Sequence, residues 1–265
     1  MKKVCCIVTI IKYDYSYLKE FIDYHTKIGI SKFIIYNNGK KKINDEYSNC
    51  IIIDFPGDVI KRTAYNHFSL NILNKIEEDW ILFIDYNEYL VTKKHITIQK
   101  FIEEYENYKS IGIIKKIFST NGHINKPNGL IIENYTLSNT SKNIKTLIHK
   151  DIIRQNINKK IFENLDNILN NAKIINDTDI VCINNYLKSW SELIHKIKNY
   201  DRLESHHKYN FLEFKEWAYS ENCNRDTDIL KLLSIKNYTE YNVPENEKEL
   251  VDKLCIKEKI ISSEF

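Results

Sequence analysis

Four short apolar runs dominate the first third of the chain: Val4 to Ile11, Lys32 to Tyr36, Ile51 to Phe55 and Trp80 to Ile84. Each is too short for a typical helix, is rich in β-branched or aromatic side chains, and stops abruptly at polar residues. That is how a strand buried on both faces reads. Between the first two runs, Tyr17, Leu18, Phe21, Ile22, His25 and Ile28 recur at helical spacing, and Gly29 follows as a helix C-cap would. After the turn Pro56-Gly57-Asp58, the segment Lys61 to Ile76 places Ala64, Phe68, Ile72 and Ile76 on one face. Strands joined by helical crossovers require a mostly parallel sheet with helices packed against it. The expected class is α/β.

Ligands of such sheets bind beyond the carboxyl ends of the strands. Polar groups stand there in this chain. Lys12 and Asp14 follow the first run, Asn37 and Asn38 follow Tyr36 at the end of the second, and Asp85, Asn87 and Glu88 follow the fourth. One such cluster is a solvated turn as readily as a site; three along one edge favour a site. Asp85 is the leading candidate. Glu88 reads as structural, accepting backbone N–H groups of its own turn.

Further along, Thr97 is the expected N-cap of a helix to about Tyr108. Ile111 to Phe118 is an expected strand, followed by the loop Ser119 to His123 and strands at Gly129 to Glu133 and Asn143 to His149, the latter carrying Lys145. Ile180 to Ile183 reads as the last strand, with Asn184-Asn185-Tyr186 opening a helix to about Leu203. The remainder, from Phe211, reads as helical around a loop at Asn242-Val243-Pro244. No repeat or low-complexity linker divides the chain. The expected organisation is one domain over residues 1–205, with residues 206–265 a helical C-terminal appendage packed on it.

Composition narrows the partners. A net charge of +3, without a large Lys/Arg cluster, argues against nucleic acid, and Lys40-Lys41-Lys42 reads as a solvated loop. None of the six cysteines forms a Cys-x-x-Cys pair, so reduced buried thiols are expected and a structural zinc site is not. The opening residues read as a core strand and not a signal peptide, and no apolar stretch approaches a membrane span. A cytoplasmic protein without a transmembrane segment is expected, so the sequons at Asn134, Asn139, Asn176 and Asn237 carry little weight. The excess of Lys over Arg, with abundant Ile and Asn, suggests an AT-rich viral or bacterial genome. The 18 tyrosines are scattered and read as packing residues. Among the histidines, His25 lies on the apolar face of the first helix as a core residue, while His149 and the His206-His207 pair read as surface.

Several blocks carry a resemblance. Ile11-Lys12-Tyr13-Asp14, then Tyr17-Leu18-Lys19-Glu20-Phe21 through Tyr24-His25 and Ile28-Gly29, resemble the opening of glycosyltransferase family 92 and related family-2-like enzymes. Tyr36-Asn37-Asn38 is similar to the family's Tyr-Asp-Asn strand end. Trp80 to Leu90 is similar to its Trp-x-x-Phe-x-Asp-x-Asp-Glu-Phe-Leu block. Phe118 to His123 with Pro127 and Leu130 to Tyr135, and then Ile183 to Tyr186 with Ser189-Trp190, Glu192 and Lys196, resemble its later blocks. Together these cover roughly the first two hundred residues, in order.

The resemblance implies a GT-A-type fold and transfer of a sugar from a nucleotide-sugar donor, a UDP-sugar first, to a hydroxyl of a glycan or lipid-linked acceptor. It implies donor contacts from Lys12, Asp14, Tyr36, Asn37, Asp85, Asn87 and Lys145. His123 and Lys196 would meet the acceptor or diphosphate, and Glu133 or Asp151 would serve as general base. A divalent cation, Mn²⁺ or Mg²⁺, would sit at Asp85, Asn87 and Asn185. The chain departs from the family where that ion would bind: Asp85-Tyr86-Asn87 stands for Asp-x-Asp, and Asn185 for a His. Two uncharged ligands imply weak metal binding, or leaving-group stabilisation by lysines such as Lys12, Lys145 or Lys196. The alternative is a non-catalytic protein that binds a nucleotide or glycan.

Overall fold

The computed structural model describes residues 4–43, 47–57, 61–156, 172–200, 215, 217–219, 223–235 and 243–257. The expectations for Asp58, His206, His207, Asn237 and Asn242, for the helix end near Leu203 and for the residues just after Phe211 fall outside them. The described residues form two compact units. One holds those up to Lys115 with those in Lys142–Ile183; the other holds Lys116–Ser141 with those from Asn184 onward.

The first unit opens with β1 (Cys5–Ile11), α1 (Leu18–Lys27), β2 (Lys32–Asn37), β3 (Cys50–Asp54), α2 (Lys61–His67) and β4 (Trp80–Phe83). It continues with β5 (Glu88–Thr92), α3 (Ile98–Glu104) and the part of β6 (Ser110–Phe118) that runs to Lys115. After α4 (Ile131–Asn134), which belongs to the second unit, come β7 (Leu137–His149), α5 (Lys150–Gln155), β8 (Lys173–Ile175) and β9 (Val181–Tyr186). The sheet order is β3-β2-β1-β4-β7-β6-β9-β5, with β8 beside β6. Strands β3, β2, β1 and β4 are parallel to one another, whereas β7 runs antiparallel to β4, His149 facing Trp80. The α/β class with a parallel amino-terminal sheet is therefore observed.

Alternation along the strands sends successive side chains to opposite faces. Phe33 meets Phe21 of α1 edge-on at 6.2 Å, while Ile34 and Tyr36 join Cys6, Val8 and Phe83 against Ala64, Tyr65 and Phe68 beneath α2. His25 is the core residue its spacing predicts. Its Nδ1 lies 2.8 Å from the Phe21 carbonyl oxygen, and the Leu90 N–H donates to Nε2 at 3.1 Å. This fixes the neutral tautomer and ties α1 to β5. Complete burial pushes its pKa down to about 3.

The helix expected from Lys61 to Ile76 is present but changes winding. A π turn occupies Phe68–Ile72 and a 3₁₀ turn Leu73–Lys75. Ser69 Oγ donates to the Tyr65 carbonyl and Asn71 Nδ2 to that of His67, local bonds that compete with the α-helical ladder. Thr97 caps α3 as expected, accepting the Lys100 N–H, although the helix ends at Glu104. Strand β5 is an addition: the chain turns at Asp85–Glu88 and resumes as a strand.

In the second unit, α6 (Trp190–Tyr200), β10 (Asn224–Arg225), α7 (Asp228–Leu232) and α8 (Glu247–Lys257) follow. Trp190 is fully buried among Leu193, Ile194, Ala218, Tyr219, Val251 and Cys255. The buried Glu247 accepts from Trp190 Nε1 and from Thr120 Oγ1, each at 3.0 Å. Two expectations are corrected here. Gly129 to Glu133 is not a strand: Gly129 turns the chain at φ 93°, and the Glu133 carboxylate accepts the Leu130 N–H at 3.3 Å. Asn134 Nδ2 donates to the Leu130 carbonyl, and together these bonds start α4. Nor do Asn184 to Tyr186 open a helix; they end β9. The helix begins at Trp190 because Ser189 and Glu192 form a capping box, with the Glu192 carboxylate accepting the Ser189 N–H at 3.2 Å and Ser189 Oγ accepting the Glu192 N–H at 3.4 Å.

Candidate functional site

The carboxyl ends of β1, β2 and β4 lie side by side. Ile11 is in register with Asn37, and the Ile84 N–H donates to the Val8 carbonyl, which brings Asp85 to the edge that also carries Lys12 and Asn38. The loops there are tied together through asparagine. Asn37 Oδ1 accepts from Tyr15 Oη at 2.8 Å, and its Nδ2 donates to Asp54 Oδ1 at 2.9 Å and to the Lys41 carbonyl at 3.0 Å. Asn38 donates its backbone N–H to Ile11 and its side-chain amide to Phe55 and Gly57 carbonyls. Both asparagines are thus engaged in closing the edge. A Cβ on Gly39 would collide with the Lys12 carbonyl oxygen and the Tyr15 hydroxyl, so glycine permits this close approach. Asp14, half-buried, accepts from Ser16, and the Lys12 ammonium stands 5.3 Å from the Tyr13 ring centre. Tyr36 does not join them. It is fully buried beneath α2, its hydroxyl 2.9 Å from His67 Nδ1, because it occupies the strand face opposite to Phe33.

Beyond β4 the chain makes a turn closed by Glu88, whose N–H donates to the Asp85 carbonyl at 2.8 Å while its Oε2 accepts the Asp85 N–H at 2.9 Å. Its side chain, 1% exposed, also binds two ammonium groups, Lys115 at 2.8 Å and Lys145 at 2.9 Å. Burial drives the Glu88 carboxyl upward, but Lys145, Lys115 and Lys61 outweigh it and hold the pKa below the ordinary range. Asp85 has a cationic partner of its own. Lys61 Nζ lies 2.6 Å from one of its oxygens and 2.7 Å from the other. Among the described residues, three ammonium groups thus gather around these two carboxylates.

Lys61 and Lys115 are members of this cluster that sequence reading does not single out. For Lys115 a signal exists: it interrupts the apolar strand Ile111 to Phe118, and a lysine entering a core needs an anionic partner. Lys61 carries no comparable local signal.

The other expected residues stand elsewhere. Asp151 belongs to the first unit but to the opposite end of β4, where Lys150 donates its N–H to the Asp79 carbonyl and Asp151 pairs with His149 at 3.1 Å. At about 3.3 Å per residue, roughly 16 Å of strand separates that end from Asp85. It is not brought to the cluster. His123, Glu133, Asn185 and Lys196 belong to the second unit. His123 follows a turn in which Asn121 and Gly122 are both left-handed, its Nε2 is 3.2 Å from the Asn134 carbonyl oxygen, and burial lowers its pKa. Glu133 caps α4, Asn185 lies near the end of β9, and Lys196 is exposed on α6.

The residues present do not fit the divalent cation that the family resemblance implies. The Lys61 ammonium stands within 2.7 Å of both oxygens of Asp85 and donates to Oδ2, a cation bound there would meet that like charge within a few ångströms, and Asn87 and Asn185 contribute no charge. Among the described residues, no three His, Cys, Asp or Glu side chains are gathered as such an ion would need.

No family model matches the chain. It is similar to glycosyltransferase family 92 protein Os08g0121900 of Oryza sativa subsp. japonica, 24% identical over 142 residues, which are 49% of this chain and 24% of that protein. The matched segment therefore spans about a quarter of the relative's length. Among solved structures, S. aureus TarS 1-349 aligns over 93% of this chain and 77% of its own, with 9% identity and a TM-score of 0.44. HddC from Yersinia pseudotuberculosis, complexed with GMP-PN, aligns over 56% of this chain and 78% of its own, with 12% identity and a TM-score of 0.33. The similarity to the rice protein, joined to the ordered sequence blocks, supports a glycosyltransferase family assignment for this chain.

Proposed function

We propose that the protein transfers a sugar from a nucleotide-sugar donor, a UDP-sugar first, to a hydroxyl of a glycan or lipid-linked acceptor. One observation carries this reading: Lys12, Asn38 and Asp85 share the carboxyl edge of three parallel strands, beside a cluster in which Lys61, Lys115 and Lys145 meet Asp85 and Glu88. Such edges receive ligands, and positive charge suits a diphosphate. The nucleoside would meet the loops around Asp14 and Asn37, and the diphosphate the turn at Asp85. In the transfer, the acceptor oxygen bonds to the anomeric carbon, and the bond to the diphosphate breaks with its electron pair passing to the phosphate oxygen. The hydroxyl proton goes to a carboxylate base. Asp151, at the far end of β4, is set aside as that base. A cytoplasmic location agrees with six free cysteines. Among the described residues no helix is long and apolar enough to cross a membrane.

A second reading, binding of a nucleotide or glycan without turnover, draws on Lys61 already neutralising Asp85 and on asparagine at positions 87 and 185. Thermal shift with UDP-, GDP- and CMP-sugars, each with EDTA and with Mn²⁺, and an assay for released nucleotide separate the two. Ligand at about 100 times its Kd stabilises by roughly 2.7 kcal/mol. Stabilisation with acceptor-dependent release supports transfer. Stabilisation without release supports the binding reading, and silence across the panel refutes a donor site.

A further inference from the structure

The cluster at Asp85 has a direction. Glu88 is buried and holds Lys115 and Lys145 from within, whereas Lys61 keeps 32% of its side-chain surface and Lys145 22%. An ammonium has three N–H donors. One pinned by a carboxylate on one side and open on the other offers charge-assisted hydrogen bonds to an incoming oxyanion while its position is already fixed. Resting on the donor reading above, we propose that Lys61, anchored by Asp85, and Lys145, anchored by Glu88, form a diphosphate-binding site in which ammonium groups occupy the role of the divalent cation. The ligand class is a nucleoside diphosphate and its sugar esters.

The spatial logic follows from the contacts. A divalent ion bridging Asp85 and a diphosphate would lie against the carboxylate oxygens, and Lys61 lies against both. The ammonium brings one charge where the ion brings two, and Lys145 and Lys115 supply the remainder, partly offset by Glu88. Asn87, uncharged, leaves this balance positive.

Inorganic pyrophosphate, titrated calorimetrically into the full chain, tests the assignment without any choice of sugar or base. Binding is expected in EDTA, with an affinity that Mn²⁺ does not raise. Lys61→Met should weaken it about 10–100-fold in EDTA, the usual consequence of losing a charged hydrogen bond. In that variant Mn²⁺ should recover part of the affinity, since the Asp85 oxygens become available. As Lys61→Met takes the ammonium away from Asp85, the charge-neutral Lys61→Met/Asp85→Asn variant serves as the folded control; it should lose pyrophosphate in EDTA and gain nothing from Mn²⁺. Pyrophosphate binding that requires Mn²⁺ in the unmodified protein overturns the proposal, as does unchanged affinity in both variants or no binding at all. The donor reading fails separately. A nucleotide sugar that binds only with Mn²⁺ would leave it standing while removing this site, and pyrophosphate binding through Lys61 with no response to any nucleotide sugar would do the reverse.

Discussion

Replacing Glu88 by glutamine tests whether the turn after β4 is held by charge or by hydrogen bonding. The amide is nearly isosteric and can still accept the Asp85 N–H, so the backbone turn need not open. What it removes is the anion between Lys115 at 2.8 Å and Lys145 at 2.9 Å, in a side chain only 1% exposed. Breaking a buried pair by removing one partner typically costs about 3–5 kcal/mol, because the remaining charge stays desolvated. Lys115 and Lys145 are 12% and 22% exposed and can turn partly toward water, so the lower end, about 3 kcal/mol, is expected. With a urea m-value of about 3 kcal/mol/M, the midpoint should fall by about 1 M at pH 7. The pH dependence has a definite sign. The folded pKa of Glu88 lies below its unfolded value, so its contribution is complete above the unfolded pKa, near 4.3, and is lost as pH falls through the folded value. Glu88→Gln should therefore approach the unmodified protein in stability as pH drops below about 4. A loss under about 1 kcal/mol at pH 7, or a loss independent of pH, would refute the reasoning: the lysines would then be solvated without Glu88.

Three further outcomes are expected. His25 is neutral in the fold with a pKa near 3, so unfolding takes up a proton below about 6.5; stability present at higher pH should fall by about 2 kcal/mol between pH 7 and pH 5, and His25→Gln should flatten that part of a pH series of urea melts. Gly39→Ala should destabilise by about 1–3 kcal/mol through the collision with Lys12 and Tyr15, and should weaken nucleotide binding more than pyrophosphate binding, measured by calorimetry on the same preparation. Ser189→Ala removes the hydroxyl that accepts the Glu192 N–H and should cost about 1 kcal/mol by urea titration, leaving the pyrophosphate affinity of the first unit unchanged.

The elements that could be read from sequence are those whose signals are local. Thr97 before the periodic run from Ile98, Gly29 after α1, and the short apolar runs of β1 to β4 each carry their reason within a few residues. His25 could be placed in the core because its helical face is otherwise apolar. The errors arise where side-chain bonding overrides propensity. Leu130, Ile131 and Ile132 favour a strand by composition, yet the Glu133 carboxylate and the Asn134 amide satisfy backbone groups of a helical turn instead. The spacing of Ser189 and Glu192 is a readable capping-box signature and sets the helix start at Trp190. β5 is buried on both faces, so no alternation announces it. In the cluster, Asp85 and Glu88 are visible because they share one turn. Their partners Lys61 and Lys115 lie 24 and 27 residues away and are joined to them only by the fold.

Asn87 takes on a different meaning once Lys61 is considered. A divalent cation needs several oxygen ligands, and anionic ones offset its dehydration; a second carboxylate in the turn would serve that purpose. An ammonium makes the opposite demand. Held by one carboxylate, it is positioned yet still electrostatically available; held by two, its charge would be cancelled and its donors spent before any phosphate arrived. With Glu88 already balancing one of Lys115 and Lys145, an aspartate at position 87 would add a negative charge to the turn and weaken the attraction that a diphosphate requires. Asparagine keeps a polar side chain in the turn without that charge. On the diphosphate-site proposal, Asn87 and the lysine on Asp85 belong together: an uncharged side chain at position 87 leaves the Lys61 ammonium available to a phosphate.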